Sequence, residues 1–279
     1  MEGEEKCVSH PRTEMTVDEI VRIVTVAVRL GLCRVKLTGG EPLARSDVVE
    51  VVRGISAISG LADLSMTTNG TLLAPLAKNL YASGLKRVNV NLPTLDEAVY
   101  SKLTDGRVKD ALEGIETAIK VGFRPVKINM LVLRGVNDDA VDEMVDFARK
   151  AGAILQLIEL EPINITGAYY SLRHKPLDEY EEKLKQEAVK VETREYMQNR
   201  RIYHLQDVKV ETIRPTENAD FCMHCTRLRV TSSGKLKTCL MKNDNLVDVL
   251  ASLRKGASDR EIKELFVLSN QERQPYNKN

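Results

Sequence analysis

Tryptophan is absent from the 279 residues, and phenylalanine occurs four times. Proteins that bind single-stranded nucleic acid by stacking need aromatic platforms, so this class of function is disfavoured. Net charge is only +1, which removes the bulk attraction that holds nucleic acid or anionic membrane. An anionic ligand must therefore be held by local charge. No apolar run approaches the roughly 20 residues that span a bilayer. The N-terminal MEGEEKCVSH is acidic and lacks the apolar centre of a signal peptide. The expectation is a cytoplasmic chain with neither nucleic acid nor membrane as partner. Cysteine is also scarce. There are five, an odd number, and three of them, Cys222, Cys225 and Cys239, cluster. In a reducing compartment such a cluster points to a metal site rather than a disulfide framework.

The length suits one α/β barrel with an appendage. Thr16-Val-Asp-Glu19 fits a capping box, and Ile20, Ile23, Val24, Ala27 and Val28 recur behind it at helical spacing up to Gly31. Strand-like runs follow at 34–38, 62–67, 87–91, 126–132 and 154–159. Helical patterns near 46–58, 75–83, 108–121 and 138–151 separate them. The strands are rich in Val, Ile and Leu, as where both sheet faces are covered. This alternation predicts a parallel sheet or barrel. A helix precedes the first strand, so either that helix packs on the barrel or an opening strand and loop are missing. From about residue 168 the pattern changes to a charged helix at 177–189, an alternating strand or hairpin at 201–213, a hairpin at 227–240 and two short helices. The expected division is 1–167 for the barrel and 168–279 for the C-terminal region.

Cys222-Met-His-Cys225 grips one metal centre from a tight turn, and Cys239 returns from the far strand of a hairpin. Three thiolates suit either an iron–sulfur cluster with an open iron or zinc with a fourth ligand such as His224, and spacing leaves both open. Cys33 reads as a buried small hydrophobe; Cys7 stands alone. Arg227 and Arg229 alternate on one face of a strand, either clamping an anion or solvated at the surface. Lys36-Leu-Thr-Gly39-Gly40-Glu41-Pro42 and Thr67-Thr-Asn-Gly70 end consecutive strands, where ligands of parallel sheets bind. Either is also explained by a tight turn needing glycine. Glu41 can bind an ammonium group. Lys127, inside a barrel strand, needs an anionic partner or snorkels to the rim.

LTGGEP (37–42), TTNG (67–70), RVNV (87–90), VKIN (126–129), RGVND (134–138) and C-x2-C-x-R-x-R with the distant cysteine occur in one order. Together they resemble the GTP 3′,8-cyclases of molybdenum cofactor biosynthesis, radical S-adenosylmethionine (SAM) enzymes, from about residue 14 to 255. The resemblance implies an incomplete TIM-type (βα)6 barrel lacking its first strand, with a C-terminal iron–sulfur hairpin extension. It implies a lyase that makes a 5′-deoxyadenosyl radical, takes hydrogen from the ribose C3′ of GTP and joins C3′ to purine C8. It implies that Cys222, Cys225 and Cys239 hold a 4Fe–4S cluster whose open iron faces guanine, deciding for iron over zinc. Gly39, Gly40, Glu41, Asn91 and Glu161 then fall at S-adenosylmethionine contacts, and Lys36, Thr67, Lys127, Arg227 and Arg229 at GTP contacts. No catalytic residue is assigned. Implied partners are GTP, an electron donor, a pyranopterin-forming enzyme and a second copy of the chain.

Three departures accompany the resemblance. The family's first 4Fe–4S cluster is held by a C-x3-C-x2-C loop, and residues 1–30 contain no such motif. The expectation is a start assigned downstream of that loop, leaving a chain inactive in radical chemistry. The alternatives are a non-catalytic GTP or iron–sulfur binding protein, or another radical SAM enzyme with an auxiliary cluster. Asn91-Leu-Pro93 replaces a Ser-Leu-Asp-like stretch, and Glu161 stands where methionine is common. The family's Gly-Gly tail is replaced by PYNKN at 275–279.

Overall fold

A capping box starts the first helix, as the sequence requires. The Glu19 N–H donates to the Thr16 hydroxyl at 3.2 Å, and the Thr16 N–H donates to the Glu19 carboxylate at 2.8 Å. The computed structural model describes residues 14–215, 218–274 and 276. Cys7, the MEGEE segment and the 275–279 tail apart from Tyr276 lie outside the described residues.

The helix α1 (Val17–Arg29) ends before Gly31, which turns the chain at φ +90° into β1 (Arg34–Leu37). Alternation continues through α2 (Val48–Ser56), β2 (Asp63–Thr68), α3 (Leu73–Ala82), β3 (Arg87–Asn91), α4 (Glu97–Thr104), α5 (Val108–Val121), β4 (Val126–Val132), α6 (Val141–Ala151) and β5 (Ile154–Glu159). Then come α7 (Gly167–Arg173), α8 (Asp178–Glu187), β6 (Lys190–Arg194), β7 (Arg200–His204) and β8 (Lys209–Ile213). The chain closes with α9 (Ala219–Met223), β9 (Arg229–Val230), β10 (Lys235–Lys237), β11 (Val247–Asp248), α10 (Val249–Arg254) and α11 (Asp259–Gln271).

One sheet runs in the order β1-β2-β3-β4-β5-β8-β7-β6. Each of β1 to β5 is parallel to the next, and β8 lies parallel to β5. These six parallel strands are the incomplete barrel, and its sixth strand lies beyond residue 167. The strands β7 and β6 extend it as an antiparallel hairpin. Among the described residues no helix is long and apolar enough to cross a membrane.

The register sorts side chains by face. Leu64, Met66, Val88, Val90, Ile128, Met130, Leu155, Leu157 and Val210 share the outer face. They are buried in one core with Val52, Ile55, Leu73, Leu80, Ile115 and Met144 of the covering helices. Ser65, Asn89, Lys127, Gln156 and Glu211 alternate with them on the opposite face and are also buried. The expectation of apolar residues on both faces is therefore corrected. The inner face is mainly polar, with Ile158 and the buried Ile213 as apolar members, and the large apolar core lies on the outer face.

A second core joins the C-terminal region to the start of the chain. Ile23 and Val26 of α1 pack with Leu236, Val249, Ile262 and Phe266. Asp259, at the head of α11, pairs with Arg22 at 3.1 Å and Arg29 at 2.8 Å, and Arg254 pairs with Glu19 at 2.7 Å. The hairpin with the cysteines is thus carried on α1.

At one point helix packing reaches the TTNG turn directly. A Cβ on Gly114 of α5 would lie 2.3 Å from the Gly70 carbonyl oxygen, a backbone atom that cannot swing away. Alanine in a helix interior is ordinarily favoured over glycine by about 1 kcal/mol. Here overpacking wins, and Gly114→Ala is expected to lower unfolding free energy by about 2 kcal/mol in urea denaturation. A stabilised variant would contradict this contact.

Candidate functional site

The two glycine-bearing turns at the ends of β1 and β2 are tied by one carboxylate. Glu41 accepts from the Leu43 N–H (2.9 Å), the Thr68 hydroxyl (2.7 Å) and the Asn69 N–H (2.7 Å). An ionised carboxylate offers about four acceptor positions, so three are used inside the chain. Glu41 is first a clamp between GGEP and TTNG, with one position left for an ammonium group. Gly39 has φ +155°. Gly40 has an ordinary backbone, and a Cβ on either residue would meet nothing within 4 Å. Neither packing nor conformation within the chain demands glycine at 40. The space beside it is open, as close approach of a ligand would need.

The inner face of the sheet carries a polar network. The Asn89 amide donates to Gln156 Oε1 at 2.7 Å, and Gln156 in turn donates to Glu211. Glu211 also holds Lys127 in a buried ion pair, with Arg194 at 3.8 Å. Burial works to raise the Glu211 carboxyl, but Lys127 and Arg194 outweigh it and hold it below its ordinary value. Lys127 therefore has its anionic partner within the chain, on β8. Asn91 accepts from the Asn129 amide at 2.9 Å at the mouth of β3. Thr67 stands beside Asn89 in register, one step from Lys127.

Around this network the charge is mainly positive. Lys36 is within electrostatic reach of Arg227, Lys127, Arg200 and Arg87, and crowding by protein together with these cations pushes its ammonium down to about 7. Water still reaches the Lys36 side chain, as at the wall of an open basin, and moderates the repulsion. Burial, then Arg227, push the Arg200 guanidinium down to about 9. Burial and Arg229 lower Arg227, while Cys225 and Glu161 pull it the other way. Burial raises the Glu161 carboxyl against Arg229, Arg227 and Arg200. Lys36, Lys127, Glu161, Arg227 and Arg229 are thus brought into one basin. Arg200 and Glu211 belong to it as well and were missed. Glu211, between Val210 and Thr212 in KVETI, carried a signal as a charge inside a strand, whereas Arg200, next to Arg201 in RRIYH, carried none.

Cys222 lies in α9, and Cys225 follows its C-cap. The Cys225 N–H donates to the Cys222 carbonyl at 3.2 Å. Cys239 stands two residues beyond β10, whose Lys237 pairs with Arg229, so the hairpin returns it toward Cys225. Arg273, past α11, locks this turn by donating to the Cys225 carbonyl at 2.9 Å and the Arg227 carbonyl at 2.7 Å. All three cysteines are reduced and half-buried. The Gln198 amide donates to Cys225 Sγ at 3.5 Å. Free thiols beside an N–H donor and guanidinium groups form a set that would suit an anionic iron–sulfur centre. His224 Nδ1 is engaged with Asp220 and Asn199. Among the described residues no three Cys, His, Asp or Glu side chains converge on a single metal ion. Cys33 is half-buried rather than buried, because it sits at the entry to an edge strand.

Removing one partner of the buried pair leaves the other uncompensated. Glu211→Gln is expected to cost about 3–5 kcal/mol in urea unfolding, with partial recovery in Lys127→Met/Glu211→Gln. Lys36 has the opposite sign. Its folded value of about 7 lies under its ordinary 10.5, so its charge destabilises the fold fully below pH 7 and progressively less from pH 7 to 10.5. Lys36→Met should raise the melting temperature, most strongly below pH 7. A uniform drop would contradict the crowding.

Two family profiles match: the radical SAM superfamily over residues 8–148, and Molybdenum Cofactor Synthesis C over residues 153–279. A "Probable GTP 3′,8-cyclase" of Thermococcus kodakarensis is 47% identical over 272 residues, covering 95% of this chain and 87% of the relative. A protein of the same name from Methanocella arvoryzae is 43% identical over 277 residues, covering 99% and 85%. Among solved structures, Streptococcus suis SuiB aligns with TM-score 0.61 at 17% identity, over 91% of this chain and 59% of SuiB. The chain thus spans about three-fifths of that protein, and the likeness is one of fold. With both profiles and relatives of this identity along nearly its whole length, the chain belongs to the GTP 3′,8-cyclase family of the radical SAM superfamily.

Proposed function

We propose that this chain is a GTP 3′,8-cyclase of molybdenum cofactor biosynthesis, and that the cationic basin beside Cys222, Cys225 and Cys239 is its GTP site. The observation that carries the reading is the concentration of Lys36, Arg200, Arg227 and Arg229 against few carboxylates, next to three cysteines. A triphosphate is the ligand whose charge relieves that repulsion. Arg227 and Arg229 bind it through charge-assisted hydrogen bonds, and Lys36 adds a third cation at the wall. Lys127 and Thr67 line the floor. Gly39 and Gly40 leave room for the S-adenosylmethionine backbone, with Glu41, Asn91 and Glu161 around it.

Superfamily membership implies a 4Fe–4S cluster and S-adenosylmethionine. Cys222, Cys225 and Cys239 are the residues that would hold a cluster here, supplying when bound an iron without a protein ligand for the guanine. The work of the chain's own residues is positional. Cations fix the triphosphate at one end and the cysteine turn fixes the base at the other, so ribose C3′ and purine C8 are held in reach of each other. In a concave site with a polar floor, this orientation is the term that the protein itself contributes.

Equilibrium dialysis against GTP tests the reading with anaerobically reconstituted protein. The 279-residue chain is expected to take up about four irons and to bind GTP. Arg227→Ala and Arg229→Ala should each weaken binding by about 10–100-fold. Iron uptake that survives Cys222→Ala/Cys225→Ala, or GTP binding indifferent to both arginines, would contradict it.

A further inference from the structure

The turn between β6 and β7 holds two successive non-glycine residues in the left-handed region, Gln198 at φ +67° and Asn199 at φ +48°. Asparagine tolerates this conformation; glutamine has no such aptitude. Glycine is the natural residue there, and the fold retains a long polar side chain instead. That side chain is buried, 5% exposed, and both ends of its amide are used. Its oxygen accepts from Arg200 Nη2 at 2.7 Å, and its nitrogen donates to Cys225 Sγ at 3.5 Å. A guanidinium has donors only, so the amide oxygen must face Arg200. This fixes the N–H on the sulfur. The turn is pinned against the cysteine loop at two further points. The Gln198 N–H donates to the His224 carbonyl at 3.2 Å, and the Asn199 amide donates to Asp220 at 2.7 Å.

We infer that Gln198, backed by Arg200, is a positioning residue that hydrogen-bonds the Cys225 thiolate of the C-terminal cluster and raises the reduction potential of that cluster. The inference rests on the reading of Cys222, Cys225 and Cys239 as cluster ligands. Hydrogen bonds to ligand sulfurs stabilise the more negative, reduced state and are one of the means by which a protein sets cluster potential. Arg200 strengthens the donor. An amide whose oxygen is held by a buried cation is a better N–H donor at its other end, since bonds in a chain polarise one another. Arg200 is itself 7% exposed, and its Nε has no hydrogen-bond partner among the described residues. Its position is thus poorly explained by packing and well explained by the relay.

Gln198→Gly separates this role from a merely structural one. Glycine is at ease in the left-handed backbone, so the turn should keep or raise its melting temperature while the N–H on sulfur is lost. Gln198→Glu keeps the length, binds Arg200 more tightly and has no N–H to offer. Both variants and the parent are reconstituted anaerobically, assayed for iron and titrated by EPR-monitored reduction. The expected result is the same iron content and, at a fixed solution potential, an about tenfold lower ratio of reduced to oxidised cluster in both variants. Loss of iron from Gln198→Gly without a fall in melting temperature also supports the contact. An unchanged ratio in both variants overturns the inference while leaving the cluster reading intact, and so does iron loss accompanied by unfolding. Failure of the parent to take up iron overturns the cluster reading itself and this inference with it.

Discussion

Mutual repulsion among cations on the concave face of the sheet is the constraint around which the structure is arranged. Burial first, and then neighbouring cations, lower the pKa values of Lys36, Arg200 and Arg227, and a fold that tolerates this must draw its stability elsewhere. It does so on the outer face, where alternate residues such as Met66, Val88, Ile128, Leu155 and Val210 enter the apolar core beneath the helices. The inner face is thereby released from packing duty. Glu211 is a deeply buried carboxylate set against these cations, and it is engaged by Lys127. The remaining positive charge is what the proposed triphosphate site draws on. This is the usual relation between a stable scaffold and a strained site.

The cysteine turn depends on the ends of the chain in a comparable way. Cys222 sits on a short helix with little burial of its own, and Cys225 just beyond its C-cap. They are held from behind by Arg273, from the side by Gln198 and Asn199, and through the hairpin by the second core on α1. The first and last helices therefore act on the site without contributing a ligand to it.

Much of this was legible in the sequence because it is written in local patterns. The α1 capping box, the βα alternation and the two hairpins follow from periodicity and turn residues, and the expected α/β fold with a parallel, partial-barrel sheet is met. The small elements were not legible. Helices α4, α7 and α9 are too short for a period to declare itself, and β6 is an exposed edge strand whose Val191 faces water. The polarity of the inner face was misjudged because strands such as VKINMLV contain enough apolar residues to read as buried on both sides. The candidate site was visible as motifs, but its wiring was not. Nothing local links Lys127 to Glu211, 84 positions away, or Gln198 to Cys225. Glu41 looked like a ligand group and is mostly a clamp, a role that appears only when TTNG folds against it. Contacts between distant segments are set by register and crossover, which a single sequence does not state.

The central claim is that the three cysteines and the cationic basin form one site that holds guanine against iron. Pulsed EPR of the reduced C-terminal cluster, with 15N-labelled GTP bound, tests it directly. The expected result is a 15N hyperfine coupling from the guanine ring that disappears when GTP is displaced by unlabelled nucleotide. GTP bound at full occupancy with no such coupling would contradict it.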